Sequence, residues 1–281
     1  MQECILEPLR FNNLELRLAH NATDIDAAQA LRYRIFYEEM GATPSPFCLE
    51  KARDVDRFDE ICDHLLVVDL EKSTPAKPHV VGTYRFLRSS VARKHGGFYS
   101  ESEFDLGHLK IFPGEIMELG RSCIDAAYRR RGAMQLLWRG IAAYIHIHEV
   151  QVMFGCGSIH GTDLEEHARV LSYLHHYHKA PGHLRPRALD EIYIPMKMMK
   201  RKEVDIELAQ RQLPPLLKGY LRLGGYIGDG AVIDRQFNTI DVCVIVETEN
   251  VTGKYIRHFS RDRKGKVAGA VATGNPVQIY S

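Results

Sequence analysis

The sequence predicts a mixed α/β domain with one locally parallel strand pair, and three observations point to it. Leu14 to Leu18 alternates apolar and charged residues, as a half-buried strand does, and a cappable helix follows at once. Ile116 to Ile124 reads as a strand that leads through a basic, glycine-containing turn into a long amphipathic helix. Gln151 to Gly155 then supplies another strand, and strand, helix, strand is the order of a parallel crossover. Val242 to Val246 adds a late strand rich in β-branched residues.

Taken in order, Thr23 or Asp24 caps a first helix that runs to about Met40, where Gly41 and the Pro44/Pro46 loop stop it. A short acidic segment, Asp54 to Asp63, precedes a strand from His64 to Leu70. Pro75 and Pro78 mark a turn before a strand from Val80 to Leu87. Residues 89–115, rich in Gly, Ser and aromatic side chains, read as an irregular connection. The long helix opens at Arg129 to Ala133 and extends to about Val150. Ala133, Leu136, Leu137, Ile141, Tyr144 and Ile145 have the spacing of a buried stripe on it. Thr162 or Asp163 caps a further helix to about His178, and Leu216 to Leu223 reads as a short helix between a Pro pair and a Gly pair. Residues 250–281 are polar and carry no clear pattern.

The chain has 281 residues, with 37 Lys plus Arg against 36 Asp plus Glu, a formal net charge of +1. That balance excludes a general polyanion binder, nucleic acid included, while leaving room for a local basic patch. At 45% hydrophobic and 26% charged residues the composition is that of a globular protein able to bury a core unaided. The six cysteines form no CxxC pair and no zinc-finger spacing, so reduced thiols, a cytoplasmic setting and no metal are expected. The first residues lack a charged stretch followed by an apolar one, so no secretory signal is expected. The most apolar stretch, Ile141 to Phe154, is interrupted by His146, His148 and Glu149. Contact with a membrane is therefore expected only from the side, at the inner face.

Chemistry is concentrated in a few places. Glu118-Leu119-Gly120-Arg121 is followed by Arg129, Arg130, Arg131, Gly132 and Ala133 at a helix start. A helix N-terminus exposes unpaired N–H groups and the positive end of its dipole, so with arginines beside it this is a phosphate cradle or, more blandly, a solvated basic turn. Arg32 and Phe36 lie i, i+4 on one helix face. An arginine fork there suits an amino-acid carboxylate, an acidic carrier helix, or a structural ion pair. Phe36 reads as core or as the wall of an apolar tunnel. Asp56 and Asp59 would share a face if their segment were helical, either holding cationic amines or capping a solvated turn. Arg85, on a strand side shared with Val81, Thr83 and Leu87, needs an acidic partner, with Asp56, Asp59 and Glu118 available.

The strand, basic turn and helix resemble the acyl-donor site of the GNAT N-acyltransferase superfamily, whose signature is Gln or Arg, two residues, Gly, one residue, then Gly or Ala. Arg129 and Gly132 fit, with Met134 at the last small position. Arg32 with Phe36, Asp56 with Asp59, Arg85, and Glu118 with Arg121 occur in the order seen in acyl-homoserine-lactone synthases, GNAT-like enzymes fed by acyl carrier protein. The family's tryptophan after the first helix is absent, with Ala42 and Thr43 in that neighbourhood. Over residues 15–248 the chain is most similar to the ornithine Nα-acyltransferase family. The matching segments are LRYRIFYEEMGA (31–42), DRFDEICDHLLVVD (56–69), VVGTYRFLR (80–88), ELGRSCIDAAYRRRGAMQLLWRGIAAYI (118–145), FGCGSIHGTD (154–163) and LPPLLKGYLRLGGYIGDGAVIDRQFNTIDV (213–242).

That resemblance implies a GNAT-like α/β fold, a central mixed sheet flanked by helices, as a domain over residues 14–248 with residues 249–281 as a C-terminal extension. It implies transfer of a 3-hydroxyacyl group from acyl carrier protein to the α-amine of ornithine, making lyso-ornithine lipid, with no bound cofactor because the carrier delivers the phosphopantetheine arm. It also implies a bulge or splay in the strand carrying Glu118 and Arg121, which a regular pleat would point to opposite faces. Glu118 is then the base that accepts the ammonium proton, and backbone N–H groups near Ser122 stabilise the oxyanion. Arg32, Phe36, Asp56, Asp59, Arg85 and Arg121 bind substrate, and Arg129 to Ala133 bind the carrier and its phosphopantetheine. Attack by the amine needs no acyl-enzyme, so Cys123 and Cys156 need not be nucleophiles. Two other readings are open: acylation of a different amino acid, and a lipid-binding or membrane-lytic protein without catalysis.

Three further features are read as structural. His64 and Asp69 match the HxxxxD pattern of glycerolipid acyltransferases, but an offset of five on a strand sends the side chains to opposite faces. His175, His176 and His178 form a helix-end cluster. Met196, Met198 and Met199, interleaved with Lys197, Lys200, Arg201 and Lys202, form a partly buried segment with a basic edge open to anionic lipid or to the carrier.

Overall fold

Among the described residues ten strands form a single sheet. They are β1 (Leu9–Phe11), β2 (Leu14–Leu18), β3 (Asp63–Asp69), β4 (Val80–Arg88), β5 (Phe104–Asp105), β6 (Glu115–Ile124), β7 (Val150–His160), β8 (Arg187–Ala188), β9 (Tyr226–Asp234) and β10 (Thr239–Glu247). The computed structural model describes residues 6–74, 76–130 and 132–249. Pro75, Arg131 and residues 250–281 lie outside the described residues, and with them nearly all of the expected C-terminal extension. The strand order is β1-β2-β3-β4-β6-β7-β10-β9-β8-β5. Neighbours are antiparallel except β6–β7 and β8–β9, so the sheet is mixed and the central pair is parallel, as the strand–helix–strand order predicts.

The helices are α1 (Ala22–Tyr33), α2 (Pro46–Lys51), α3 (Ser89–Ala92), α4 (Gly107–Lys110), α5 (Ala133–Ile147), α6 (Leu164–Tyr177), α7 (Ile206–Gln212) and α8 (Pro215–Arg222). Period-2 alternation along β3 and β4 divides the core between two faces. Leu65, Val67 and Val81 meet the apolar stripe of α5 on one side. Leu66, Val68 and Val80 meet Leu31 and Ile35 on the other. Asn21 caps α1 by accepting from Asp24 N–H, two residues before the expected cap. The first helix does reach Glu39, but its last stretch, Arg34–Glu39, widens into a π-helix that turns Phe36 off the i, i+4 line with Arg32.

Residues 54–56 are irregular and 57–62 form turns and a bend, in place of the helix that would align Asp56 with Asp59. Asp56 Oδ1 instead accepts from Phe58 N–H in a local side-chain turn. β7 is longer than expected because its second half pairs only with β10. β1, β9 and α7 were not apparent in the sequence pattern. Gly228 and Gly230 dilute the alternation of β9. Among the described residues no helix is long and apolar enough to cross a membrane.

Candidate active site

The site begins with two faults in the sheet. Thr83 of β4 pairs with Cys123 of β6, but Arg85 pairs with Gly120, so Arg121 and Ser122 together oppose Tyr84. This is a β-bulge, and it puts Arg121 at a φ of 51°, a conformation non-glycine residues rarely adopt. On its other side β6 pairs with β7 only from Glu115 to Glu118, opposite Val150 to Phe154. Beyond that point the two strands diverge, and their facing backbone groups have no strand partner. Gly155 stands at the apex of the wedge, where a Cβ would overlap the Leu119 carbonyl oxygen. The bulge and the splay together let Glu118, Arg121 and Ser122 line one space despite their positions on a single strand.

That space is a cavity of about 560 Å3. Its walls include Glu118, Gly120 to Ile124, Gly155 and Cys156, Phe36 from the π-helix and Tyr220 from α8. It extends to Arg129 and Met134 at the start of α5. Phe36 packs edge-on against Phe237 as part of an apolar wall. The Tyr84 hydroxyl, with Ser122 beside it, hydrogen-bonds that of Tyr220, tying α8 to the sheet.

Glu118 is buried, and its carboxylate accepts from Tyr99 N–H at 2.8 Å, from Ser100 N–H at 2.7 Å and from the Ser100 hydroxyl. Burial raises its pKa above the ordinary carboxylate range, while these donors and the nearby Arg85 act in the opposite direction. The result is a fixed carboxylate of increased basicity facing the cavity.

Beside it lies a network of three arginines and three aspartates. Arg32 reaches the Asp54 carbonyl at 2.5 Å, the Asp54 carboxylate at 2.8 Å and the Asp59 carboxylate at 2.7 Å. Arg85 takes Asp56 with two N–H groups, at 2.6 and 2.9 Å, and Asp59 with one at 2.9 Å. Arg121 bridges Asp54 and Asp56 at 3.1 Å each, while its guanidinium lies 4.8 Å from the ring centres of both Tyr99 and Phe237. For Asp59 burial opposes charge, but the arginines prevail and hold its pKa well below the ordinary value. Asp56 is lowered in the same way.

Placement divides the expected binding residues into two groups. Arg32 is completely enclosed, and neither it nor Asp56 nor Asp59 lines the cavity, so these three are struts rather than groups touching a ligand there. Arg85, Arg121 and Phe36 do line it. Asp54, which joins Arg32 to Arg121, carries no signal of its own in a segment with several acids.

Gly132 opens α5 at a φ of 88°, with the Phe11 ring 2.8 Å from where a Cβ would stand. Ala133 is buried in the core, so only its backbone is available to a ligand. Arg129 and Arg130 are exposed. Arg129 donates to the Ile124 carbonyl at 3.0 Å and pairs with Glu39 at 2.5 Å. The two halves of the HxxxxD pattern are apart: His64 contacts the Asp59 carbonyl, while Asp69 accepts from Tyr128 and Asn13. Burial pushes the Cys123 thiol up to about 12 and Cys156 well above its ordinary value, which leaves both unfit as thiolate nucleophiles at neutral pH.

Residues 31–139 match the acetyltransferase (GNAT) domain model. The chain is 46% identical to the L-ornithine N(alpha)-acyltransferase of Rhizobium meliloti (strain 1021), over 90% of this chain and 86% of that protein. It is 45% identical to the enzyme of the same name from Brucella abortus (strain 2308), over 90% and 91%. The chain belongs to the L-ornithine N(alpha)-acyltransferase family. Among solved structures, the CoA-dependent acyl-homoserine lactone synthase MesI aligns with a TM-score of 0.47 at 10% identity, over 87% of this chain and 95% of that one. The fold is GNAT-like, with the bulged, splayed strand pair at its centre.

Several cavity residues of this family member have no motif to announce them. Ser100, from the connection expected to be irregular, holds Glu118 and also contacts the Cys156 thiol at 3.4 Å. Cys156 donates to Glu103 at 3.3 Å. Asp234, Thr239 and Asp241 close the same end of the cavity. The five oxygen-bearing residues come from two stretches far apart in the sequence, 100–103 and 234–241, and Asp241 in a β-branched strand reads simply as an interruption.

Proposed function

We propose that this chain transfers a 3-hydroxyacyl group from acyl carrier protein to the α-amine of L-ornithine, giving lyso-ornithine lipid. One observation carries the reading: a single cavity joins a buried carboxylate, Glu118, to the basic start of α5 through the wedge between β6 and β7. Family membership supplies the acceptor.

The carrier docks at Arg129, Arg130 and Arg131, where Gly132 and the first N–H groups of α5 meet the phosphate of its phosphopantetheine arm. The arm lies in the wedge and its acyl chain runs along the Phe36 wall. Arg121 meets the acceptor's carboxylate, held in place by Asp54 and Asp56. Arg85, Arg32 and Asp59 position that array. Glu118 takes a proton from the α-ammonium, and the freed nitrogen attacks the thioester carbonyl. Backbone N–H groups of the bulge near Ser122 stabilise the oxyanion. Collapse breaks the C–S bond, the thiolate regains a proton, and an amide and holo-carrier leave. Such an amphiphilic product suits a cytoplasmic enzyme touching the inner membrane face, with exposed Met198 and the basic residues around it as the contact.

Purified protein mixed with 3-hydroxyacyl carrier protein and ornithine should release holo-carrier and form the amide in equal amounts. Absence of both products, alongside a working control enzyme, refutes the assignment. A panel of other amino acids tests the acceptor.

A further inference from the structure

The end of the cavity opposite the α5 start is acidic, and the mechanism above makes no use of it. Asp241 and Thr239 from β10 line it, as do Asp234 at the end of β9 and Cys156 of β7. Glu103 stands behind Cys156, and the donor atoms of Glu103, Cys156 and Asp241 all lie within 4.8 Å of one another. Carboxylates so close repel one another unless a proton or a cation intervenes.

A second observation concerns hydrogen bonding rather than charge. Asp241 is 5% exposed and Thr239 is 2% exposed, yet Asp241 Oδ1 and Thr239 Oγ1 have no hydrogen-bond partner among the described residues. Buried polar atoms left unpaired are destabilising and uncommon, and both side chains line the cavity. The Thr239 and Ser158 hydroxyls lie close enough to Asp241 to lower its pKa, and a carboxylate with a hydroxyl beside it retains lone pairs for a further donor.

Distance suggests which donor. Glu118 connects to Glu103 through the Ser100 hydroxyl and the Cys156 thiol, with the latter two contacts at 3.4 and 3.3 Å. The two nitrogens of extended ornithine stand about 6 Å apart on standard bond lengths. An acceptor with its α-amine at Glu118 thus brings its other nitrogen to the acidic end.

We infer that Asp241, Thr239 and Asp234, with Glu103 behind Cys156, form a subsite for the side-chain ammonium of a diamino-acid acceptor. The inference rests on amino-acid acylation at Glu118 and adds the determinant of acceptor choice. Burial is the main cause raising the pKa of both Glu103 and Asp241. Asp241 raises Glu103 further, and Asp234 raises both. Arg121 acts in the opposite direction on both, and the Cys156 and Cys243 thiols stay neutral. The empty subsite therefore holds a proton near neutrality, and an incoming ammonium displaces it.

The test compares ornithine with norvaline, which has the same carbon chain without the terminal nitrogen. Calorimetric titration of the wild-type chain should show ornithine binding roughly 10- to 100-fold more tightly. Titrations in buffers of different ionisation enthalpy should show proton release with ornithine and none with norvaline. Asp241→Asn and Thr239→Val should each shrink the ornithine preference, measured both as binding and as kcat/KM. Equal affinity for the two ligands, or equal proton release, in the wild-type chain overturns the subsite even if a variant fails to fold. Stoichiometric zinc in the purified protein that ornithine cannot displace overturns it too, since zinc competes for the same donors. Discrimination in binding without any turnover would instead sink the acyl-transfer reading and leave the subsite standing.

Discussion

At the scale of single residues, the site contrasts one carboxylate made more basic by burial with others made more acidic by arginines. Glu118 is raised and must be ionised to accept a proton, so activity should rise with pH through a pKa above the usual ~4.3 of a glutamate. Glu118→Gln should lower kcat by about 10²- to 10⁴-fold and remove that limb of the pH–rate profile, and because an amide NH2 cannot accept from the buried Tyr99 or Ser100 donors it should also cost about 1–3 kcal/mol of stability.

The aspartates make the opposite prediction. Asp56 and Asp59 have lowered folded pKa values, so their contribution to stability is complete above the unfolded value of about 3.9 and is lost as pH falls through the folded values. Denaturant melts between pH 6 and pH 2 should show stability dropping below about pH 4. Asp59→Asn leaves Arg32 and Arg85 short of a partner and should destabilise the chain by about 3–5 kcal/mol in the same assay.

At the scale of elements, function depends on a sheet that is interrupted in two chosen places. A methyl group at Gly155 would meet the Leu119 carbonyl at the apex of the wedge. Gly155→Ala should therefore force the strands apart at that point and reduce kcat/KM for the acyl donor by at least tenfold. Its effect on ornithine binding, measured calorimetrically without donor, should be much smaller.

Elements also show how much could be read beforehand. The alternation of β2, the stripe on α5 and the β-branched β10 all follow from side-chain period, and the parallel pair follows from their order. The bulge does not: Glu118, Gly120 and Arg121 carry no local mark of it, and it was expected only through resemblance to other proteins. The network was half legible. Arg85 plainly needed an acid, but whether Arg32 faced a ligand or an aspartate depended on where residues 54–62 fold back. Asp241 and Glu103 could not be singled out, because their proximity arises from strand pairing across β7, β10 and the β5 edge.

At the scale of the whole molecule, a net charge of +1 conceals a polarised cavity, with Arg129 and Arg130 exposed at one mouth and buried acids closing its other end. An acidic carrier protein should be drawn to the basic mouth and not to the rest of the chain. Arg130→Glu should raise the KM for acyl carrier protein about tenfold and flatten its dependence on salt, leaving the KM for ornithine unchanged in steady-state assays.

The six charged residues beside Glu118 come from far-flung stretches, with Arg32 27 positions from Asp59 and Arg121 67 positions from Asp54. During synthesis, the segment holding Asp54, Asp56 and Asp59 emerges before the two arginines that will neutralise most of it. An unfinished chain therefore carries a surplus of negative charge at this spot. The array closes only when Arg121, the last of its members along the chain, folds back onto Asp54 and Asp56.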